Sequence, residues 1–294
     1  MDPGEHGFEE HRTHLLRTGY RITGSLADAE DAVQEAWLRL HGLSDADRAE
    51  IRDLRAWLTT VVGRLCLDRL RSATARRERY VGPWLPEPIV TTAEDGPLAA
   101  VVQDESVRMA AMVVLERLTA PQRVALVLHD ALDLPFATIA EVLDCTEATA
   151  RQHASRARKA VADADPPPRT RLEEAGDVLT RFAAAMATAD LDALVALLHP
   201  DAVLVNDGGG KVSAALRPVV GAEKVARFLL GLRSRYGDDA FQNLPVLVNG
   251  EVGVLTPAVP ERGVDATVTV FTVVGGLVTD VYGVRNPDKL TRIA

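Results

Sequence analysis

Four side chains in one short stretch have the types and spacing to read base edges in a DNA groove. Arg151, Gln152, Ser155 and Arg156 lie between Thr146 and Val161, with Arg158 and Lys159 close behind. An arginine fork matches the two acceptors of guanine, and a glutamine amide matches the donor–acceptor pair of adenine. That chemistry needs a rigid support that turns these groups outward. Ala150, Ala154, Ala157 and Val161 recur at helical spacing and supply an inward face. Upstream, Ile139, Ala140, Val142 and Leu143 form a second apolar face, and Asp144-Cys145-Thr146 interrupts it. Thr146 suits an N-cap, with Glu147 at the positive end of the helix it opens. Two short helices and a tight turn are expected over Phe136 to Val161, although the turn lacks the glycine frequent in such motifs. A solvated amphipathic helix accounts for the same pattern, so the rest of the chain must decide.

Two further groups lie nearer the N-terminus. Ser25 caps a helix with Asp28 three residues on, and Ala29, Val33, Trp37 and Leu40 form its inward stripe. Asp28, Asp31 and Glu35 fall on another face as an acidic ridge. Paired catalytic carboxylates are a poor reading of it, because nothing nearby suggests a substrate pocket. From Leu54 to Leu70 a second apolar stripe (Leu54, Trp57, Leu58, Val61, Val62, Leu65) leaves Arg64, Arg69 and Arg71 outside, with Arg76, Arg77 and Arg79 following. Trp57 reads as core rather than as a base-stacking platform.

Length and charge frame these groups. The 294 residues leave room for two or three domains, and 47% are hydrophobic, so each can bury a core. No apolar run approaches a membrane span, and no secretory signal opens the sequence. Cys66 and Cys145 are far apart, without metal or redox spacing, and are expected as free thiols in a reducing cytoplasm. A net charge of −9 argues against a general nucleic-acid coat. Its distribution does not: residues 1–50 carry 11 acidic and 5 basic groups, whereas residues 51–79 carry 8 basic and 3 acidic. Two basic islands in an acidic chain suggest two local phosphate contacts.

DAEDAVQEAWLRL followed by LRAWLTTVVGRLCLDRLRSA resembles region 2 of a bacterial sigma factor of the extracytoplasmic-function class. The helix-turn-helix, preceded by LERLTAPQRVALVLHDALDLP, is similar to region 4 of the same class. The resemblance implies that Asp28, Asp31, Gln34 and Glu35 dock on core RNA polymerase. It further implies that the basic helix around Arg64, Arg69 and Arg71 handles the minus-ten promoter element, and that region 4 reads the minus-35 element.

Between the two blocks, Ser72 to Ala100 is rich in Pro, Gly and Thr and reads as a linker. It contains Trp84-Leu85-Pro86-Glu87-Pro88, a stiff segment whose apolar pair needs a surface to dock on. Pro166-Pro167-Pro168 then marks a boundary. Beyond it, helices over Leu172 to Ala189 and Leu191 to Leu198 precede strand-like runs at 202–206, 211–216, 244–248, 252–259, 266–274 and 278–284. Asn249-Gly250 and Gly275-Gly276 are hairpin turns, and Ala222 to Tyr236 is a helix between strands. A curved antiparallel sheet after helices gives an α+β cone, similar to the SnoaL-like members of the nuclear-transport-factor-like superfamily. Cones of this kind often enclose a pocket, and Asp207, Asp280, His199 and Tyr282 are its acid–base candidates, but no pair is set by spacing. Asp207-Gly208-Gly209-Gly210-Lys211 lacks the spacing, the hydroxyl residue and the following helix of a phosphate loop. It suits a hairpin pressed against another surface, or an ordinary flexible one.

WLPEP, DGGGK and the C-terminal Asn286-Pro287-Asp288-Lys289-Leu290 together resemble the sigma-factor subgroup with a fused SnoaL-like domain, group 41. The expected organisation is multidomain: helical region 2 over 1–79, a linker over 80–102, helix-turn-helix region 4 over 103–165, and the α+β cone over 171–294. The expected function is promoter-specific initiation with core RNA polymerase and promoter DNA as partners. The cone acts in cis by packing on the helical domains through the three motifs, with Asp207, Lys211, Asp288 and Lys289 at the rim. Neither catalysis, metal, cofactor nor membrane is expected. A small-molecule ligand in the cone, its turnover there, or a conventional helix-turn-helix regulator are the alternatives.

Overall fold

The computed structural model describes residues 3–77, 80–91, 100–102, 104–164, 166, 169–237 and 242–293. They belong to two compact units. Met1–Glu78, Gly96–Val107 and Ala111–Pro166 form one; Arg79–Asp95, Arg108–Ala110 and Pro167–Ala294 form the other. Membership crosses the chain order, so the Trp-Leu-Pro-Glu-Pro segment folds with the C-terminal residues.

In the first unit, helices Pro3–Thr23, Leu26–His41 and Leu54–Arg77 pack together, with short Asp45–Ala49 between the last two. The Ser25 hydroxyl accepts from Asp28 N at 3.2 Å and starts the second helix. A Cβ on Gly19 would stand 3.0 Å from Ala29 Cβ, so the first two helices meet almost backbone to backbone. Leu15, Leu16, Tyr20, Ala29, Ala32, Ala36, Leu58 and Val62 are buried. Trp37 and Trp57, expected inside, are only half-buried, and the Trp37 ring lies 4.1 Å from His41.

Helices Met109–Leu115, Ala120–Asp130, Phe136–Leu143 and Glu147–Ala164 follow. Arg123 is 1% exposed and donates to Ile22 O at 3.0 Å and to Glu116 at 2.5 Å. Its charge therefore meets a carboxylate and a carbonyl at the negative end of the first helix, which is what makes its burial tolerable. Gly63 lets Leu54–Arg77 close on this half of the unit: a Cβ there would meet Leu128 at 3.2 Å and Val142 at 3.7 Å.

The second unit is an α+β cone. Its seven-stranded sheet runs in the order β1 (Val90–Thr91), β4 (Leu244–Val248), β5 (Glu251–Thr256), β6 (Thr267–Val274), β7 (Leu277–Val284), β2 (Leu198–Asp207), β3 (Val219–Val220). Helices Leu172–Thr188, Leu191–Leu197 and Ala222–Tyr236 cover one face. There Val178, Leu194, Val225, Val278 and Val281 are buried, and Phe182 meets Phe271 edge-on at 5.6 Å. The hairpins at Asn249-Gly250 and Gly275-Gly276 are present, with positive φ at all four residues.

Three expectations are corrected. The sheet is mixed, because β2 pairs with β7 in parallel. The segment Lys211–Leu216 is not a strand: Lys211 N and Val212 N both turn back to Gly208 O, at 3.0 and 3.2 Å, while Gly209 and Gly210 take positive φ. The chain is thus diverted into a tight turn, and β2 finds its antiparallel partner later, at Val219–Val220. The linker itself contributes a strand, β1, too short to show a period-two pattern.

Candidate functional site

The helix-turn-helix is built by three devices. Asp144 makes the turn at φ +53, a conformation that aspartate tolerates better than most residues, so the missing glycine is not needed. Thr146 Oγ1 accepts from Thr149 N at 3.2 Å and caps the second helix. Ala150, Ala154 and Ala157 are fully buried, and Arg158 forks onto Asp130 at 2.6 and 2.8 Å, holding that helix to Ala120–Asp130. Arg151, Gln152, Ser155 and Arg156 are all exposed on it. Arg151 pairs with Glu147 and lies 4.7 Å over the Phe136 ring. His153, half-buried beside them, has its pKa lowered by burial and then by Arg156.

The acidic ridge and the basic helix are not independent surfaces. Asp31 and Gln34 are exposed, and Glu35 accepts from Arg39 at 3.1 Å. Asp28, however, stands 3.9 Å from Arg69, so an acidic candidate and a basic candidate neutralise each other. Arg71 lies 3.8 Å from Asp68. Arg64 reaches the first helix of the helix-turn-helix, 3.9 Å from the Glu141 carboxylate.

The three motifs, from the linker, the cone and the C-terminus, meet within the second unit. Asp207 ends β2 at 0% exposure. Its carboxylate accepts from Tyr80 Oη at 2.5 Å, Leu85 N at 2.9 Å, Gly209 N at 3.0 Å and Lys289 Nζ at 2.7 Å. Lys289 also donates to Leu85 O, and its ammonium lies 3.7 Å from the centre of the Trp84 ring and 5.5 Å from that of Tyr80. Asn286 Nδ2 donates to Tyr80 Oη at 2.9 Å, and its Oδ1 accepts from Asp288 N at 3.1 Å, opening the short turn Pro287–Lys289. Burial and the bond to Asp207 raise the Tyr80 pKa, so its hydroxyl stays a donor. Leu85, Pro86, Glu87, Pro88 and Leu290 are buried around this clasp. Gly208 and Gly209 admit the approach: a Cβ on Gly209 would stand 2.5 Å from the Asn286 amide, and one on Gly208 2.6 Å from Val212 O. Gly210 does the same against Val81 at 2.9 Å. The expected charged rim is corrected in one respect. Lys211 and Asp288 form an exposed pair at 2.7 Å, whereas Asp207 and Lys289 are the buried centre.

Sequence reading missed four contributors. Tyr80 precedes the motif and carries no pattern of its own. Asn249 reads only as a turn residue, yet it is fully buried and bonds Ile89 through both backbone and side chain. Glu251, 6% exposed, accepts from Met109 N at 3.2 Å and lies 3.7 Å from Arg108. His14 bridges Thr59 and Arg55, each at 3.1 Å. These pairs are up to 206 residues apart, and a one-dimensional pattern cannot report them.

The acid–base candidates have structural surroundings of their own. Asp207 is consumed by the clasp. Asp280 takes the Thr279 hydroxyl at 2.9 Å, His199 Nδ1 accepts from Asp201 N at 3.2 Å, and Tyr282 is buried in β7. Burial pushes the Cys66 thiol up to about 12, and the Cys145 thiol is also raised, by burial and then by Asp144. Neither is an activated thiolate. Among the described residues no cluster of three or more His, Cys, Asp or Glu could hold a metal ion, and no helix is long and apolar enough to cross a membrane.

Three family models match successive parts of the chain. Residues 8–76 match Sigma-70 region 2, residues 108–161 match Sigma-70, region 4, and residues 179–291 match the SnoaL-like domain. The chain is 52% identical over 296 residues to the ECF RNA polymerase sigma factor SigJ of Mycobacterium tuberculosis, covering 97% of this chain and 92% of that protein. It is 34% identical over 232 residues to the probable ECF RNA polymerase sigma factor SigI of the same species, covering 78% and 77%. The crystal structure of Mycobacterium tuberculosis SigJ superposes with a TM-score of 0.79 at 50% identity, over 97% of each chain. The chain belongs to the extracytoplasmic-function RNA polymerase sigma factors, in the form that carries a SnoaL-like domain after region 4.

Proposed function

We propose that this chain binds core RNA polymerase in the cytoplasm, directs it to a promoter, and is regulated in cis by its C-terminal cone without catalysis of its own. The observation that carries the reading is the exposed row Arg151, Gln152, Ser155 and Arg156 on a helix held by three buried alanines. That row reads the minus-35 duplex. Arg64, Arg69 and Arg71 act at the minus-ten element, and Asp31, Gln34 and Glu35 with Asp28 face the polymerase. The promoter elements are named for positions about 25 base pairs apart, roughly 85 Å along B-DNA. Gly63, by contrast, lies against Leu128 and Val142, and Arg64 beside Glu141. Regions 2 and 4 therefore part when both elements are engaged. The cone biases that step through the linker it grips at Trp84, Leu85, Pro86, Glu87 and Pro88.

Transcription in vitro with core polymerase tests the reading. The full chain, a truncation after Pro168 and a Lys289→Met variant are compared on a promoter of this class. Promoter-directed transcripts are expected, with output altered by the truncation and the variant. Equal output from all three removes the regulatory part; absence of any sigma-dependent transcript removes the whole.

A further inference from the structure

Within the exposed row on the recognition helix, Arg151 is held from two sides. Its guanidinium pairs with Glu147, one turn back on the same helix, and lies 4.7 Å from the centre of the Phe136 ring. An acid placed N-terminal to its cation at this spacing is the favoured order, and Glu147 also sits at the positive end of the helix. The Phe136 ring is supported in turn. It lies 4.1 Å from His129, whose Nδ1 is 3.3 Å from the Asp130 carboxylate. Asp130 receives the Arg158 fork, two turns beyond Arg151 on the recognition helix. The contacts therefore close a circuit through three helices, from Arg151 by way of Phe136, His129 and Asp130 to Arg158. A free arginine gives up its rotamer freedom when it binds; here that freedom is restricted beforehand. The guanidinium has more N–H donors than one carboxylate takes, which leaves a pair for the two acceptors of guanine.

We propose that Glu147 and Phe136 are specificity-determining residues for the minus-35 element, positioning Arg151 to read a guanine there. Glu147 aims the fork and Phe136 supports its plane, so both act through Arg151. The inference rests on the reading of the exposed row given above. Glu147 also carries a charge that DNA phosphates repel. Its removal has two separable consequences: affinity for every sequence rises, while preference at the one base falls.

The test is the base preference of the full chain bound to core RNA polymerase. A pool of duplexes randomised across both promoter elements is selected on this complex, and the bound duplexes are sequenced. Arg151→Ala identifies the base that Arg151 reads, as the position where preference for guanine is lost. Glu147→Gln and Phe136→Leu should each lower that preference about three- to tenfold at the same position, the range expected for immobilising one long side chain on binding. Other positions should keep their preference, Phe136→Tyr should restore the wild-type value, and Glu147→Gln should bind every duplex at least as tightly. Wild-type preference in either Glu147→Gln or Phe136→Leu overturns the proposal while the reading of Arg151 stands. A loss spread over all positions overturns it too, since it marks a displaced helix. If Arg151→Ala changes no preference, the reading of the row fails at that residue and the proposal with it. Should Phe136→Leu not fold, Glu147→Gln decides alone, because its pair is exposed and contributes little to stability.

Discussion

The clasp around Asp207 and the row on the recognition helix use similar side chains in opposite ways. In the clasp, one carboxylate at 0% exposure receives four donors, and its cation is flanked by two rings. On the helix, Gln152, Ser155 and Arg156 face solvent, and Arg151 has a partner one turn away on the same helix. Buried groups with saturated hydrogen bonding hold the chain together. Exposed groups on a rigid support are left for something outside it. The two regions should therefore separate cleanly between stability and binding when each is truncated.

Asp207→Ala should have the largest effect. It strands the Lys289 ammonium and leaves three donors without their acceptor, so a loss of roughly 3–5 kcal/mol is expected in denaturant unfolding of the full chain. A loss under about 1 kcal/mol would place Asp207 with the surface ion pairs and erase the contrast.

Gln152→Ala and Arg156→Ala should each weaken promoter binding by roughly 1–3 kcal/mol and relax preference at one base, with the melting temperature unchanged. Competition binding with single-base promoter variants reads both properties. A drop in melting temperature with no change in preference would move the row to the structural side.

His14 sharpens the comparison within the helical unit. Burial, and then Arg55, lower its pKa from 6.5 to about 4. Between those values the unfolded chain binds a proton that the folded chain does not. Its contribution is thus fully present above about pH 6.5 and is lost as pH falls toward 4. Discounted for solvent screening at this half-buried site, the loss is roughly 1–2 kcal/mol. The wild-type melting temperature should fall more steeply from pH 7 to 5 than that of His14→Gln; parallel curves would contradict the assignment.

Reversing Asp31 and Glu35 should leave stability within about 0.5 kcal/mol, since Asp31 is exposed and Glu35 pairs with Arg39 on the same helix. Binding to core polymerase should weaken several-fold at low salt and less at high salt. Unchanged binding with intact helicity would make the ridge an ordinary solvated face.

Local pattern carried the helices and the hairpins far. The alanine stripe at 150, 154 and 157, the Ser25 and Thr146 caps and the two Gly-containing hairpins each rest on interactions within a few residues, and such interactions are written in adjacent letters. The same holds for the exposed side of the recognition helix, because facing outward follows from helical periodicity. Long-range pairing was not legible in this way. That β2 lies parallel to β7, that Leu85 meets Asp207, and that Asn249 completes a ladder with Ile89 depend on which distant segments share a face. Type and spacing marked Asp207 and Lys211 as charged groups beside glycines and Asp288 and Lys289 as charged groups near the C-terminus; only the fold made Asp207 and Lys289 the buried centre and left Lys211 and Asp288 at the rim. The physical reason is that burial of a charge is decided by the donors brought to it, and here those donors arrive from Tyr80, Leu85, Gly209 and Lys289, three of them more than 80 residues away.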